Sequence, residues 1–290
     1  MDGVVGAVVG ASSKMGVWTT PTSSSTHARD RMAERGPTLT PTQTVPRAEV
    51  PEAFDEVADR YDLMVAMNPG YHAHLRSSAT VLVTSLAGSV VPGRPLRLLD
   101  LGCGSGASTR ALVTALETAG VVSEVVGVDA SAGMLREARS KRWPPQVSFV
   151  HARAEDLADQ ADVGGEAGLD GVFAAYLVRN VSARDELLAT LHGLLRPGGV
   201  VVLHEYSVAG NPRAAAIWTV VCRGVVVPLG WLTSRRTRLY SYLWRSVMDM
   251  DSAAELMDRL VRAGFEDVRT RSVRGWQRGI IHTFHARRPR

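Results

Sequence analysis

The stretch at residues 98–106, LLDLGCGSG, decides the fold of this 290-residue chain. It runs from an apolar segment typical of a buried strand, through three glycines at alternate positions, into residues 107–117, whose apolar spacing predicts a helix. Glycines let a ligand lie directly against the backbone, and the start of a helix offers N–H groups without partners. The stretch therefore predicts an α/β fold with a ligand-binding turn, although glycines in such a turn can also serve packing alone.

Two acidic residues flank this turn. Asp100 precedes the glycines, and Asp129 ends the next predicted strand at residues 125–129. A carboxylate at the end of that strand can accept hydrogen bonds from both hydroxyls of a ribose. A dinucleotide-binding turn would place its third glycine where the chain has Ala107, whereas Gly106 comes one residue early. The pattern therefore favours a nucleoside ligand without a pyrophosphate.

The two motifs, LDLGCGSGAST at residues 99–109 and VVGVDASAGMLREAR at residues 125–139, resemble those of class I methyltransferases that use S-adenosylmethionine. The resemblance implies an α/β, Rossmann-like class I methyltransferase fold, with a seven-stranded, mostly parallel sheet, a closing antiparallel hairpin and a helical cap. It implies S-adenosylmethionine as the cofactor, with the glycines against its methionine and sugar and the second acid on the ribose. The residues expected to bind it here are Asp100, Gly102, Gly104, Gly106, Thr109 and Asp129.

A further cofactor contact is expected after the third predicted strand. Related methyltransferases place a short polar residue and an alanine against the adenine, and here Arg153 fills the polar position. We therefore expect Ala154, together with Glu155 or Asp156, to supply this contact.

The second half of the chain resembles one particular family of these methyltransferases. Four segments, in order, are similar to the ubiquinone/menaquinone biosynthesis C-methyltransferases: YLVRNV at 176–181, LLRPGGVVVLHEYS at 194–207, YSYLWRSV at 240–247 and AGF at 263–265. The similarity covers residues 51–286, and Ala175 stands where that family can carry a serine near the cofactor. It implies methyl transfer to a carbon of a small lipophilic aromatic acceptor, such as a demethylated quinol. Two alternatives stay open: a polyketide-like, sterol-like or phenolic acceptor, and a non-catalytic protein that binds the cofactor.

Polar residues at the ends of the fourth and fifth predicted strands are candidates for the chemistry. Ligands of open α/β sheets bind outside the carboxyl ends of strands, so Tyr176, Arg179 and Asn180 should border the reacting methyl group. Carbon methylation of a hydroquinone-like ring needs an ionised phenol, and ionising a phenol of pKa near 10 at pH 7 costs about 4 kcal/mol. We expect Arg179 to stabilise the phenolate; the candidates for accepting its proton are His204, Glu205 and Tyr242.

Residues 1–50 are predicted to be a disordered extension ahead of a methyltransferase domain at residues 51–290. Ser, Thr or Pro fill 17 of the 36 positions from 11 to 46, which leaves too little apolar surface to offset the entropy of ordering. On this basis we hypothesise that the functional chain starts near Met32. The domain then opens with an amphipathic helix whose Phe54 and Tyr61 are expected near the cofactor.

The distribution of charged and apolar residues limits the kinds of partner that the chain is expected to bind. The net charge of +4 is uneven, because residues 209–290 hold 15 Arg against 6 Asp and Glu; solvent, an anionic substrate or anionic lipid are the alternatives for this part. The apolar run at residues 213–233 either packs inward as a cap or receives a prenyl tail or a bilayer surface. Nucleic acid is not expected, since the basic residues lack interleaved aromatic side chains.

The remaining features favour a cytoplasmic protein. No apolar run reaches the roughly 18 residues of a spanning helix, and the first residues lack the basic start of a secretory signal. Two cysteines form no disulfide framework. His72 and His74 are two residues apart and would point to different sides of a helix, so no metal site is predicted. Peripheral membrane contact and a homodimer stay open.

Overall fold

The computed structural model describes residues 17–21, 49–55, 58, 62, 68, 70–160, 163, 168–226 and 237–290. The strands are β1 (Leu96–Leu101), β2 (Ser123–Asp129), β3 (Val147–His151), β4 (Leu169–Ala175), β5 (Leu195–Tyr206), β6 (Glu266–Ser272) and β7 (Ile281–Arg287). The α-helices are α1 (Val50–Asp55), α2 (Tyr71–Ser85), α3 (Ala107–Thr118), α4 (Ala132–Ser140), α5 (Arg184–Leu194), α6 (Pro212–Val221), α7 (Thr237–Met248) and α8 (Ala253–Arg262). Short 3-10 helices include Ala154–Asp159 and Val178–Asn180.

The strands form one sheet in the order β3-β2-β1-β4-β5-β7-β6. Strands β1 to β5 run parallel, whereas β7 pairs antiparallel with both β5 and β6. The order reverses between β1 and β4, which opens a crevice at the carboxyl ends of these strands. The predicted seven-stranded, mostly parallel sheet with a closing antiparallel hairpin is confirmed.

Helices bury both faces of this sheet, as a parallel sheet requires. Helices α2 and α3 cover one face with Leu82 and Leu112, and α5 and α8 cover the other with Leu188 and Leu256; all four side chains are fully buried. Strand β4 is buried along its whole length. The core thereby fixes the register of the strands whose ends carry the predicted site.

Local sequence signals bear on where two of these elements begin. Serine is a favoured N-cap, so Ser131 predicts a helix start after Asp129, and its hydroxyl accepts a hydrogen bond from Met134 N–H at the start of α4. The sequence predicts a break at residues 197–199 and a strand from residue 200. The structure begins β5 at Leu195, but its regular pairing with β4 starts at Val200, and in the irregular stretch between them Gly198 adopts a φ of +80° and donates its N–H to Arg288 O.

Part of the amino-terminal extension pairs with the free edge of β6. Thr19 N–H donates to Thr270 O at 2.8 Å, and Thr270 N–H donates to Thr19 O at 2.9 Å. The Trp18 ring lies against two guanidinium groups, with the Cζ atoms of Arg269 and Arg271 at 5.0 and 4.8 Å from the ring centroid. These contacts give the segment an ordered position that its composition does not predict.

This pairing differs from the disorder expected for residues 17–21. The reason is that an edge strand offers unpaired backbone groups to any extended segment, whatever its composition. Residues 22–48, which include Met32, lie outside the described residues. The domain boundary at residue 50 and the start near Met32 therefore stay predictions.

The apolar run from residue 213 begins as α6. Ala214 and Trp218 are buried beneath it, while Ile217 and Val220 face outward. The expected cap thus has both a packed and an exposed side, and residues 227–233 lie outside the described residues. Among the helices that the structure describes, none combines the length and the apolar character needed to cross a bilayer.

Candidate active site

The glycine turn follows β1 and lines a cavity at the carboxyl ends of the parallel strands. Val128 O accepts hydrogen bonds from Gly102 N–H at 2.8 Å and Cys103 N–H at 3.0 Å, which anchors the turn to β2. Gly102 and Gly104 have φ values of +71° and +54°, a region that favours glycine. A Cβ at Gly104 would project into open space, so the backbone itself forms the cavity wall here.

Asp129 completes this side of the cavity. One carboxylate oxygen accepts Gly104 N–H and the other accepts Ser131 N–H, each at 2.8 Å. Burial raises the pKa of this carboxyl, while the two N–H groups favour its charged form. Each oxygen retains a second lone pair that can accept a ribose hydroxyl. The bare backbone at Gly104 and these free acceptor positions fit the nucleoside part of S-adenosylmethionine.

Three residues expected to touch the cofactor lie behind the turn. Asp100 is fully buried and accepts hydrogen bonds from Ser108 Oγ at 2.8 Å and Thr109 Oγ1 at 2.6 Å, and burial raises its pKa to about 7. At Gly106, where φ is +91°, an added Cβ would lie 2.7 Å from the Trp143 ring. Asp100, Thr109 and Gly106 do not line the cavity. Asp100 and Thr109 support the turn from the interior through their hydrogen bond, and Gly106 leaves room for the Trp143 ring.

The residues expected to contact the adenine are placed differently. Arg153, Ala154 and Glu155 all line the cavity, at the start of the 3-10 helix that follows β3, and Ala175 lines it at the end of β4. Arg153 Nε lies 3.9 Å from Glu155 Oε2 across this edge. Of the two acids considered for this contact, Glu155 is the one at the cavity.

Helix α1 closes the cavity from above. Val50, Pro51 and Phe54 line it, and Asp55 Oδ1 accepts hydrogen bonds from Ser131 Oγ and Gly133 N–H. Phe54 thus lies where the sequence predicts, whereas Tyr61 is outside the described residues.

A second carboxylate further along fixes the same segment to the glycine turn. Asp62 accepts Ser105 Oγ on one oxygen and pairs with Lys141 Nζ on the other, each at 2.5 Å. Spacing alone gave no signal for Asp55 or Asp62, since their partners lie 43 to 79 positions away in the chain.

Arg179 and Asn180 line the far end of the cavity, as predicted. Arg179 Nη1 pairs with Glu205 Oε1 at 2.9 Å, with both side chains buried. Glu205 also accepts the backbone N–H groups of Arg179 and Tyr206, at 3.2 and 2.9 Å. Glu205 is fully buried and does not line the cavity, so it is not placed to take a proton from an acceptor there.

His204 and Tyr242 also stand back from the cavity. His204 is fully buried, and burial lowers its pKa to about 3, so it is not placed to act as the expected base. The Tyr242 hydroxyl donates to Asn180 Oδ1 at 3.1 Å and thus reaches the site through that side chain.

Two aromatic residues join the site, one of them expected at the end of the fourth strand and the other without a role assigned from sequence. Tyr71 and Tyr176 both line the cavity, and their rings stack with centroids 5.4 Å apart and an interplanar angle of 17°. Tyr176 directly follows β4, at the strand end where the sequence predicts a residue of the site, whereas Tyr71 comes from α2, far away in sequence.

Comparison with known proteins agrees with this geometry. The profile described as the ubiE/COQ5 methyltransferase family matches residues 42–286. The ubiquinone/menaquinone biosynthesis C-methyltransferase UbiE of Syntrophotalea carbinolica is 32% identical over 231 residues, which cover 79% of this chain and 89% of that protein. A demethylmenaquinone methyltransferase of Clavibacter sepedonicus is 31% identical over 227 residues, or 78% of this chain and 85% of that protein.

Solved structures share the fold. The plantazolicin methyltransferase BamL, in complex with S-adenosylhomocysteine (SAH) and a triazolic desmethyl analogue, aligns with a TM-score of 0.61 at 13% identity, covering 84% of this chain and 95% of that one. A methyltransferase in complex with the Haloferax volcanii Trm112 activator gives 0.55 at 18% identity, covering 83% and 98%. The sheet order, the nucleoside cradle and these matches agree on one assignment. The chain belongs to the ubiE/COQ5 methyltransferase family and is an S-adenosylmethionine-dependent methyltransferase.

Proposed function

We propose that this enzyme methylates a ring carbon of a small lipophilic aromatic acceptor such as a demethylated quinol. The observation that carries the proposal is that Arg179 and Asn180 line the same cavity as Gly104 and Asp129, so that oxygen-binding groups and the cofactor cradle share one space. The names of the relatives, which refer to C-methylation in quinone biosynthesis and to demethylmenaquinone, support the acceptor class.

Aromatic side chains strengthen this choice of acceptor. Phe54, Tyr71 and Tyr176 line the cavity together. Aromatic rings pair favourably with one another in offset or edge-to-face arrangements. A planar acceptor ring is therefore a better match for this wall than a flexible polar molecule.

Alignment is the main task of the protein in such a transfer. S-adenosylmethionine supplies a methyl carbon that its sulfonium already activates. Holding two reactants in line can lower the barrier by roughly 7–11 kcal/mol, so a covalent nucleophile is not required. Helix α1 above the cavity and the glycine turn below would hold the cofactor, while Arg179 and Asn180 would orient the acceptor.

Arg179 would stabilise the negative charge on the acceptor oxygen. Ionising a phenol of pKa near 10 at pH 7 costs about 4 kcal/mol, and a buried guanidinium lowers this cost by charge-assisted hydrogen bonding. Glu205 keeps the guanidinium in place through the 2.9 Å ion pair. Tyr242 would orient the Asn180 amide through the 3.1 Å hydrogen bond, so that its NH₂ group and Arg179 address one oxygen.

Contact with a membrane surface is part of the same proposal. Helix α6 exposes 43% of Ile217 and 70% of Val220, and Arg213 and Arg223 flank them. Apolar helix faces with basic borders bind anionic bilayers. Vesicles of anionic phospholipid should carry the protein in flotation, and Ile217→Ser with Val220→Ser should release it. Equal flotation of both proteins would argue against this surface.

Calorimetry and a transfer assay test the activity. Titration with S-adenosylmethionine should show binding, and labelled methyl should pass to a panel of demethylated quinols, with carbon attachment established by NMR of the product. Methylation of oxygen, or of phenolic or polyketide-like compounds alone, would replace the quinol with another acceptor. Binding of S-adenosylmethionine without transfer to any compound of the panel would contradict the proposed acceptor and direct the search to other acceptors.

A further inference from the structure

A series of buried contacts connects the antiparallel strand β7 to the cavity. Thr283 Oγ1 on β7 lies 3.0 Å from His204 Nδ1 on β5, and His204 Nε2 lies 3.2 Å from the Tyr176 hydroxyl. Tyr176 lines the cavity, whereas His204 does not. The ring of a cavity residue is therefore anchored to a histidine that an acceptor cannot touch.

The backbone of Tyr176 adopts an uncommon conformation. Its φ is +58°, and Asp267 is the other non-glycine residue with a positive φ in the described part of the chain. Such a conformation costs free energy for a bulky residue and persists only where surrounding contacts enforce it. Three contacts enforce it here besides the hydrogen bond to the His204 ring: Tyr71 stacks on the Tyr176 ring, the centroid of the Tyr206 ring lies 5.0 Å from that of Tyr176, and Tyr176 N–H donates to the backbone oxygen of His204 at 2.7 Å.

The left-handed turn puts the Tyr176 carbonyl beside both polar residues of the cavity. Arg179 Nη1 donates to this oxygen, and Asn180 Nδ2 lies 3.4 Å from it. Asn180 also accepts the Tyr242 hydroxyl, and Arg179 also pairs with Glu205. One peptide group therefore sets the positions of the two side chains that face the acceptor.

His204 is suited to anchoring and not to proton transfer. Its burial lowers its pKa to about 3, with smaller contributions from the nearby charges of His74, Arg271 and His282. The imidazole is therefore neutral in ordinary working conditions, and a neutral imidazole nitrogen is a good acceptor for the Tyr176 hydroxyl. The hydrogen bond from the Tyr176 hydroxyl to His204 Nε2 then holds the phenol ring towards the interior of the protein.

We propose that His204 and Tyr176 act as one positioning unit, which holds the strained turn after β4 and so places Arg179 and Asn180 for methyl transfer. The inference rests on the proposed function, because it assigns the unit to the alignment of the acceptor. It differs from that proposal in making His204 a residue that acts only through Tyr176.

Kinetics of a double-mutant cycle test this inference. Tyr176→Phe removes only the hydroxyl, and His204→Leu removes its partner. Each change should lower kcat at least about fivefold, the equivalent of one lost hydrogen bond, and leave the Kd of S-adenosylmethionine within about twofold. The double variant should be no slower than the slower single variant, because both changes break the same unit.

Two further variants separate positioning from general stability. His204→Gln keeps an acceptor near the Nε2 position and should recover kcat to within about threefold of wild type. His285→Leu removes another fully buried histidine, on β7, whose Nδ1 lies 3.2 Å from Asp267 O, and should lower Tm without a change in kcat beyond about twofold. Losses of kcat that multiply in the double variant, or equal losses in His285→Leu, would overturn the inference.

The experiments distinguish failure of the proposed function from failure of this inference. If wild-type protein methylates no quinol, that function is wrong, and the unit is then judged on crystal structures of wild type and Tyr176→Phe with SAH. Displacement of the Arg179 and Asn180 side chains in the variant would support the unit, and unchanged positions would overturn it. If wild type methylates a quinol and the variants match it, only the inference fails.

Discussion

Asp55 and Ser131 join the helix above the cavity to the loop that follows Asp129: the Asp55 carboxylate accepts the Ser131 hydroxyl at 2.5 Å and Gly133 N–H at 2.6 Å. Phe54 lines the cavity beside this contact, and we expect α1 to separate from α4 when a nucleoside enters or leaves. The hydrogen bonds of Asp55 therefore contribute to how tightly the cofactor is retained.

We expect Asp55→Ala to raise the Kd of S-adenosylmethionine about fivefold, since one exposed hydrogen-bonded group contributes about 1 kcal/mol. Calorimetry measures the change. Glu52→Ala is the matched control, because it removes the same charge from an exposed position of the same helix. Equal weakening in both variants would point to the charge of α1 and not to its contact with Ser131.

Asp129→Asn should weaken cofactor binding at least about tenfold, because a charged acceptor of the ribose is replaced by a neutral group with a single acceptor oxygen. Asp156→Asn provides the comparison, since Asp156 is exposed and does not line the cavity. Calorimetry should find the second variant within about twofold of wild type. A strong effect of Asp156→Asn would indicate that Asp156, and not Glu155, contacts the adenine.

Arg179→Ala should lower the free energy of unfolding by about 3–5 kcal/mol, because Glu205 would stay buried without its cation. Arg179→Met combined with Glu205→Gln removes both charges and should recover most of this loss in urea unfolding. Turnover of the paired variant should stay more than about tenfold below wild type, if Arg179 contacts the acceptor oxygen. Recovered turnover would mean that Arg179 has a structural role only.

Buried histidines should make the protein sensitive to acid. Burial lowers the pKa of His204 to about 3 and that of His285 to about 4. The unfolded chain binds these protons near pH 6.5, so stability is lost as the pH falls from there towards 4, by up to about 1.4 kcal/mol per pH unit for each histidine. Asp100 acts in the opposite direction, since burial raises its pKa to about 7 and the folded state binds that proton first.

Urea unfolding of wild type and His204→Gln between pH 7 and 4.5 separates these opposing groups. The variant lacks one histidine but keeps Asp100, so it should lose about 2 kcal/mol less than wild type over this range. Parallel stability curves would show that His204 is not buried as the neutral form.

Removing residues 1–31 should lower stability by about 2 kcal/mol, or about 4–8 °C in Tm, through the loss of two backbone hydrogen bonds and the packing of Trp18. Trp18→Ala in the full chain should reproduce part of this change. Val17→Ala should have no effect, because Val17 is 88% exposed. A Tm that does not depend on residues 1–31 would favour the predicted start near Met32.

Local signals explain how much of this molecule the sequence predicts. Strand, glycine turn and helix at residues 98–117 form one continuous segment, and Asp129 ends the neighbouring strand, so both could be assigned from spacing. The adjacent residues His204 and Glu205 were harder, because successive strand residues point to opposite faces. Spacing cannot show that His204 contacts Tyr176 and that Glu205 pairs with Arg179. These contacts join segments that only the folded sheet brings together.

The position of β7 between β5 and β6 has a consequence for the order of folding. β7 is the last strand along the chain, and Thr283, which anchors His204, belongs to it. Strands β1 to β3 pair within residues 96–151, and β5 can pair with β4 on one side, whereas the other side of β5 must wait for β7, synthesised about eighty residues later. A nascent chain should therefore acquire its nucleoside-binding half while later residues are still being translated, and complete the half that aligns the acceptor only after residues 281–287 have left the ribosome.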